Sequence, residues 1–216
     1  DDDMGSFLKK HVAAAGIGLS SFRMDREHPT TLAMVKLDES GNRSFSFYRD
    51  RTADVMLSEE DLSTYDLSHT KILHFGSLSL TDEPSRSATM KAIKTARASG
   101  AVISYDPNLR PALWKDLETA RKEILAAMEY ADLVKVSDEE LLFLTGEADM
   151  SKGMEKLFSG YPMSYLVVTK GDKGAELIYE KGHHGALAYD TGCVDTTGAG
   201  DASWGAFLSG FIMKDG

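Results

Sequence analysis

Hydrophobic spacing divides the chain into segments of different period. Over residues 4–15, Phe7, Leu8, His11 and Val12 recur at helical spacing and Gly16 follows as a stop, which predicts an amphipathic helix. His11 reads as a partly buried residue of that helix face rather than a ligand. From residue 31 the period drops to two. Residues 31–37 and 43–49 read as strands, Phe45 and Phe47 alternate in the second, and Asp38-Glu39-Ser40-Gly41-Asn42 reads as the turn of a hairpin. Between residues 54 and 170, short apolar runs at 71–75, 101–105, 133–136 and 165–169 alternate with helical patterns. One helix is expected from about residue 83 to 99, with Ala88, Ala92, Ile93 and Ala96 on one side. A second starts at Asp116 as N-cap and carries Leu117, Ala120, Ile124, Ala127 and Met128, and two short ones cover 138–145 and 151–159. Residues 175–179 are a further strand, and a helix of small and apolar residues runs on from Asp201.

Continuous apolar strands separated by helices imply a mostly parallel sheet covered on both faces, so the fold class is α/β. The expected division is an α/β core over 1–27 and 53–216, interrupted by the hairpin at 28–52. That hairpin is either an edge decoration or a lid, and the pattern alone leaves both open. There is no internal repeat, low-complexity tract or long linker.

Composition narrows the partners. The 216 residues carry a formal net charge of −10, which argues against nucleic acid and anionic membrane, since both call for a basic face. An anionic small molecule such as ATP stays compatible, because local dipoles, Mg²⁺ and a few basic residues override a global field. The single cysteine, Cys193, forbids an internal disulfide, fits a cytoplasmic location and reads as a bystander thiol. No apolar run approaches the ~20 residues of a membrane helix, and no secretory signal is visible. The chain begins Asp1-Asp2-Asp3 without methionine and stops shortly after its last helix, so it is expected to be a piece of a longer protein.

In parallel sheets, ligands gather where the strands end. The last such place is Asp195-Thr196-Thr197-Gly198-Ala199-Gly200-Asp201. Gly198 and Gly200 let an anion approach the backbone, and the first amides of the following helix have no partner inside it. Together they form a phosphate cradle. A carboxylate beside a phosphate needs another task, and Asp201 is placed to accept a proton from an attacking hydroxyl. The competing reading is a helix start with an acidic residue favouring the dipole.

The other strand ends offer weaker signals. Asp106-Pro107-Asn108-Leu109-Arg110 supplies a carboxylate, an amide and a guanidinium. Arg110 suits a phosphate or sugar oxygen and Asn108 a hydroxyl, whereas Asp106 serves equally well as a turn residue. Glu140 completes a capping box with Ser137, and on residue types that structural role is favoured over ordering water around Mg²⁺. Thr169-Lys170-Gly171-Asp172-Lys173-Gly174 reads as a hairpin turn or as a loop against a nucleotide. His183-His184 reads as a surface loop, since adjacent histidines on an extended chain point apart. There is no Walker A string and no Gly-x-Ser-x-Gly elbow.

The string 195–201 resembles the C-terminal signature of the PfkB (ribokinase-like) family of carbohydrate kinases. Residues 104–114 (Ser-Tyr-Asp-Pro-Asn-Leu-Arg-Pro-Ala-Leu-Trp) and 134–141 (Val-Lys-Val-Ser-Asp-Glu-Glu-Leu) resemble the fructokinases within it, as do 45–49 followed by Ala53-Asp54. Asp2-Asp3-Met4-Gly5 is similar to its early Gly-x-Asp-x-x-Gly element. The resemblance implies a ribokinase-like three-layer sandwich with a small β lid, and ATP-dependent phosphorylation of a sugar hydroxyl, fructose first. It implies Asp201 as catalytic base and Gly198, Ala199 and Gly200 as anion hole. Thr169, Gly171 and Thr197 become nucleotide contacts, and Asp106, Asn108 and Arg110 face the substrate. Glu140 matches the acidic position of an Asn-x-x-Glu element associated with Mg²⁺, with Ser137 standing in place of the Asn. The resemblance also admits a monovalent cation and a homodimer through the lid. A sugar acid such as 2-keto-3-deoxygluconate, or a silent nucleotide-binding homologue, are the other expectations. The family's Gly-Gly-x-x-x-Asn sugar-binding element and the segments that enclose adenine are not in this chain.

Overall fold

The computed structural model describes residues 1–37, 43–190 and 195–214. The expected turn at 38–42 and Cys193 lie outside the described residues. The chain divides into two compact units, residues 1–66 with 79–92, and residues 67–78 with 93–216. The hairpin lies in the first of these units.

In the first unit, α1 (Asp3–Ala14) starts where Asp2 accepts from the amide of Gly5 at 2.7 Å. The same carboxylate accepts from the amide of Thr30 at 2.8 Å, and these bonds, led by the one from Thr30, lower its pKa to about 2. The expected apolar face of α1 is not covered. Phe7 and Leu8 are 55% and 45% exposed, His11 is exposed rather than partly buried, and Gly5 is the one buried residue of the helix. Helical spacing states which side chains share a face, and burial depends on a neighbour that spacing does not supply. Strands β1 (Leu32–Leu37) and β2 (Arg43–Tyr48) form the antiparallel hairpin, with Leu32 opposite Tyr48. At its base Arg49 donates to Asp54 and to Thr81, each at 2.7 Å. Burial pushes the Asp54 carboxyl up, but bonds from Thr31, Thr52 and Arg49 outweigh it and hold the pKa below the usual value. A short helix, α2 (Glu59–Leu62), begins with a capping box from Ser58 to Asp61.

The second unit is a six-stranded sheet. Its strands are β3 (Ile72–Gly76), β4 (Val102–Asp106), β5 (Leu133–Ser137), β6 (Tyr165–Thr169), β7 (Ala175–Tyr179) and β8 (Gly182–Ala186), neighbours in that order. β3 to β6 are parallel, and β7 and β8 add antiparallel ribbons. The helical connections are α3 (Ser85–Ala98), whose residues 85–92 belong to the first unit, α4 (Leu117–Met128), and the pair α5 (Asp138–Thr145) and α6 (Met150–Gly160); α7 (Ala199–Lys214) follows the sheet. β8 replaces the surface loop expected around His183-His184. It was illegible because Gly182-His183-His184-Gly185-Ala186 has no apolar alternation, and it is an edge strand with little to bury. Its histidines do point apart, His183 to Glu176 at 3.0 Å and His184 onto the ring of Tyr179.

The two faces of this sheet differ in chemistry, because successive residues of a strand alternate sides. One face carries Phe75, Ile103, Tyr105, Val134, Val136, Leu166 and Val168, all buried, with Phe75 stacked on Tyr105 at 4.2 Å. The apolar sides of α4, α5 and α6 add Ile124, Met128, Leu141, Leu144, Met154 and Leu157 to the core, and α3 adds Ile93 and Ala96. The other face holds His74, Ser104, Asp106, Lys135 and Tyr165, and α7 lies on it. Trp204 donates to Ser104 at 2.9 Å, and Phe207 and Phe211 meet Tyr165 edge-on at 6.1 and 5.9 Å. Helices thus cover both faces, giving the three layers expected.

Candidate active site

The parallel strands β3 to β6 end on one rim, since Gly76 is opposite Asp106 and Ser137 is opposite Thr169 in the sheet register. The strand-end residues singled out from the sequence therefore come together, in an order that the register dictates.

β4 leaves the sheet through Asp106-Pro107-Asn108. Asn108 takes φ 49, a left-handed conformation that an asparagine tolerates better than most residues. The turn brings the amide of Leu109 to Oε1 of Glu140 at 2.6 Å. Oε2 of Glu140 accepts from the amide of Ser137 at 2.8 Å, and the Glu140 amide donates to Ser137 Oγ at 3.1 Å. The capping box expected from the sequence is present, and it is also a strut between two strand ends. Between them opens a cavity of about 370 Å³ lined by Asn108, Arg110, Lys135, Ser137 and Glu140, among others. Arg110 turns its Nη1 onto the carbonyl of Leu109 at 3.1 Å. Thr169 and Gly171 lie one strand further along the rim. Thr169 donates to the Val136 carbonyl at 3.4 Å, and Gly171 opens a one-turn 3₁₀ segment at φ 58, so the hairpin-turn reading of that loop holds.

Asp106 is not a free loop residue. It closes β4 with its side chain only 5% exposed, and Oδ2 accepts from Lys135 Nζ at 2.7 Å. Oδ1 is buried without a hydrogen-bond partner among the described residues. Lys135 was not singled out from the sequence. Its signal was a lone ammonium in the strand Leu133-Val134-Lys135-Val136, which no apolar run needs.

The start of α7 meets this pair. Asp195 Oδ1 accepts from the Thr197 amide at 2.7 Å, shaping the approach. The Ala199 amide bonds to the Thr196 carbonyl at 3.1 Å, and the first helical bond runs from Ala202 to the Gly198 carbonyl at 2.8 Å. The amides of Gly200 and Asp201 precede that bond and face outward with the helix dipole behind them. Gly198 stands at φ 78, where a side chain is strained. A Cβ placed on Gly200 would lie 3.1 Å from Lys135 Nζ. Asp201 is exposed in the first turn beside these amides.

His74 and Ser104, also unmarked in the sequence, seat this helix. Ser104 Oγ accepts from Trp204 Nε1 and lies 2.9 Å from His74 Nδ1. Desolvation lowers the His74 pKa below its ordinary 6.5, against the pull of Asp106 and Asp201. A neutral ring accepts the Ser104 proton at Nδ1, and a protonated ring presents a second donor there. The folded pKa is depressed, so the stabilising contribution is complete above the unfolded value near 6.5 and lost as pH falls through the folded pKa. Between pH 7.5 and 5.5 the protein is expected to lose more thermal stability than its His74→Gln variant. Equal losses in parallel melts would remove His74 from the seat of α7.

For a divalent metal, the described residues offer no group of three or more His, Cys, Asp or Glu. They offer Glu140, whose oxygens each hold one amide and keep further lone pairs. That donor set fits Mg²⁺ only as an ion carried by phosphates with its own waters. No helix among the described residues is long and apolar enough to cross a membrane.

Comparison with known proteins places the chain in a family. Residues 1–215 match the pfkB family of carbohydrate kinases. The chain is 39% identical over 212 residues to a probable fructokinase-3 of Arabidopsis thaliana, covering 98% of this chain and 61% of that one. Among solved structures it is similar to a fructokinase of Vibrio cholerae O395 with fructose, ADP and calcium ion bound (TM-score 0.87, 33% identity, 96% of this chain and 67% of that one). It is also similar to a fructokinase of Xylella fastidiosa with bound ATP (TM-score 0.89, 31% identity, 99% and 66%). The chain spans 61 to 66% of the length of the plant relatives it matches.

Proposed function

The chain belongs to the pfkB family of carbohydrate kinases, and from that membership we propose that the protein transfers the γ-phosphoryl group of ATP to a primary hydroxyl of a sugar, with fructose as the preferred acceptor. What supports this is the start of α7. Asp201 stands in the first turn beside the outward amides of Gly200 and itself, with a buried ammonium below.

In the proposed reaction the sugar oxygen attacks the γ-phosphorus as the bond to the β–γ bridging oxygen breaks. ADP leaves with that electron pair, and the hydroxyl proton passes to Asp201. The Gly198–Gly200 turn holds the charge of the transferring group. Arg110 and Asn108 orient the acceptor and the phosphates, while Thr169, Gly171 and Thr197 contact the nucleotide. Glu140 would hold Mg²⁺ through water, and the ion would supply charge neutralisation at the phosphates. The hairpin of β1 and β2 serves as the lid, and its exposed Leu32, Met34, Val35, Phe45 and Tyr48 suit pairing between lids of a homodimer.

The test is ADP release from MgATP by the intact protein with fructose, ribose, tagatose, 2-keto-3-deoxygluconate or no sugar. A response to fructose alone is expected. A response to another sugar discards fructose and keeps the chemistry, and a folded, ATP-binding protein silent on every sugar defeats the proposal.

A further inference from the structure

We infer that Lys135 is a further catalytic residue, whose ammonium contacts the transferring phosphoryl group, and that Asp106 positions it. This rests on the kinase reading above. A buried ion pair kept only for structure is stable when its remaining donors and acceptors are satisfied. This pair is not closed. Lys135 has three donors and Asp106 is its one hydrogen-bond partner among the described residues. Asp106 keeps Oδ1 buried and unpartnered. The lysine side chain is 9% exposed, so little water reaches it, yet it lines the cavity shared by Arg110, Ser137 and Glu140.

Geometry gives the open valences a direction. Nζ would stand 3.1 Å from a Cβ on Gly200, so a glycine there leaves room for the ammonium against the backbone of the anion cradle. An oxyanion held by the Gly200 and Asp201 amides sits beside Nζ. Because Nζ itself is buried, a charge-assisted bond to it is worth more than one to a surface lysine. Lys135 keeps its protons throughout the transfer. It offers charge to phosphoryl oxygens while the new P–O bond forms, the bridging bond breaks and Asp201 takes the proton. Asp106 holds the ammonium on the strand side, so that it neither swings into the cavity nor blocks the cradle.

The test uses the intact protein and two variants. Lys135→Met alone leaves Asp106 charged and buried, which threatens folding. The double variant Asp106→Asn with Lys135→Met keeps volume and removes the unpaired charge. Asp106→Asn alone keeps the ammonium and loosens its tether. In calorimetric titrations without sugar, the double variant is expected to bind ATP at least ~10-fold more weakly and ADP nearly as the parent does. Its turnover falls at least ~10-fold with little change in the KM for sugar, and Asp106→Asn falls between. A folded double variant that binds ATP and ADP as the parent does, or loses both alike, overturns the inference. Because the binding measurement needs no acceptor, it decides on Lys135 even if no sugar in the panel is phosphorylated.

Discussion

Asp201→Asn is expected to lower turnover by ~10²-fold or more while leaving ATP binding largely intact. Asparagine keeps the size and shape of the side chain but cannot accept a proton at pH 7. The structural cost is small, because Asp201 is exposed and no hydrogen bond or ion pair of its side chain is found among the described residues. What the fold loses is a favourable charge at the start of α7, on the order of 0.3–1 kcal/mol. Melting therefore changes little, and a fall in kcat reports chemistry rather than unfolding. The effect belongs in kcat, because proton acceptance matters only as the hydroxyl attacks. A variant turning over near the parent rate would remove Asp201 from the role of base and leave it a dipole-stabilising residue.

Gly174→Ala is expected to be the most damaging single methyl in the second unit. Gly174 closes the turn between β6 and β7 at φ 90, and its carbonyl accepts from the amide of Lys170 at 2.8 Å. A Cβ there would fall 1.9 Å from the carbonyl oxygen of Ala186 and 2.8 Å from the amide nitrogen of Ala188. Both are backbone atoms, so no rotamer change relieves the overlap. The positive φ adds strain of its own. The turn must open, and the register that starts at Ala175 opposite Ala186 is lost with it. A stability loss of at least ~3 kcal/mol follows, read as a melting point lowered by roughly 6–12 °C. Gly100→Ala is the control. Gly100 stands at φ 85 with nothing within 4 Å of its would-be Cβ, so it measures the conformational strain without the clash. Equal melting points for the two variants would show that the contact with β8 is not what makes Gly174 necessary.

Local chemistry made much of this protein legible before its structure. The apolar runs at 101–105, 133–136 and 165–169 became β4, β5 and β6, since parallel strands covered by helices on both faces read as continuous apolar runs. Asp116 capped α4 and Ser137 with Glu140 capped α5, because capping is settled within four residues. The glycine turn that opens α7 was readable for the same reason: a glycine at positive φ followed by a helix start is a local object.

What the sequence left undecided depends on which elements become neighbours. The helical spacing of Phe7, Leu8, His11 and Val12 forecast α1 but not its exposure, since no residue of α1 encodes what lies opposite it. The edge strand β8 has no apolar alternation and exists because β7 offers it unpaired backbone groups. Asp106 read evenly as turn or ligand residue from its own pentapeptide, and only the register of β4 against β5 joined it to Lys135. His74, Ser104 and Trp204 lie on β3, β4 and α7, far apart along the chain, and meet because a parallel sheet aligns strand ends and a helix crosses them. Local sequence therefore determined the elements, their caps and the glycine turn that opens α7. Tertiary structure alone decided which charges stand beside that turn, because a Coulomb interaction depends on distance in space and on the water excluded between the groups.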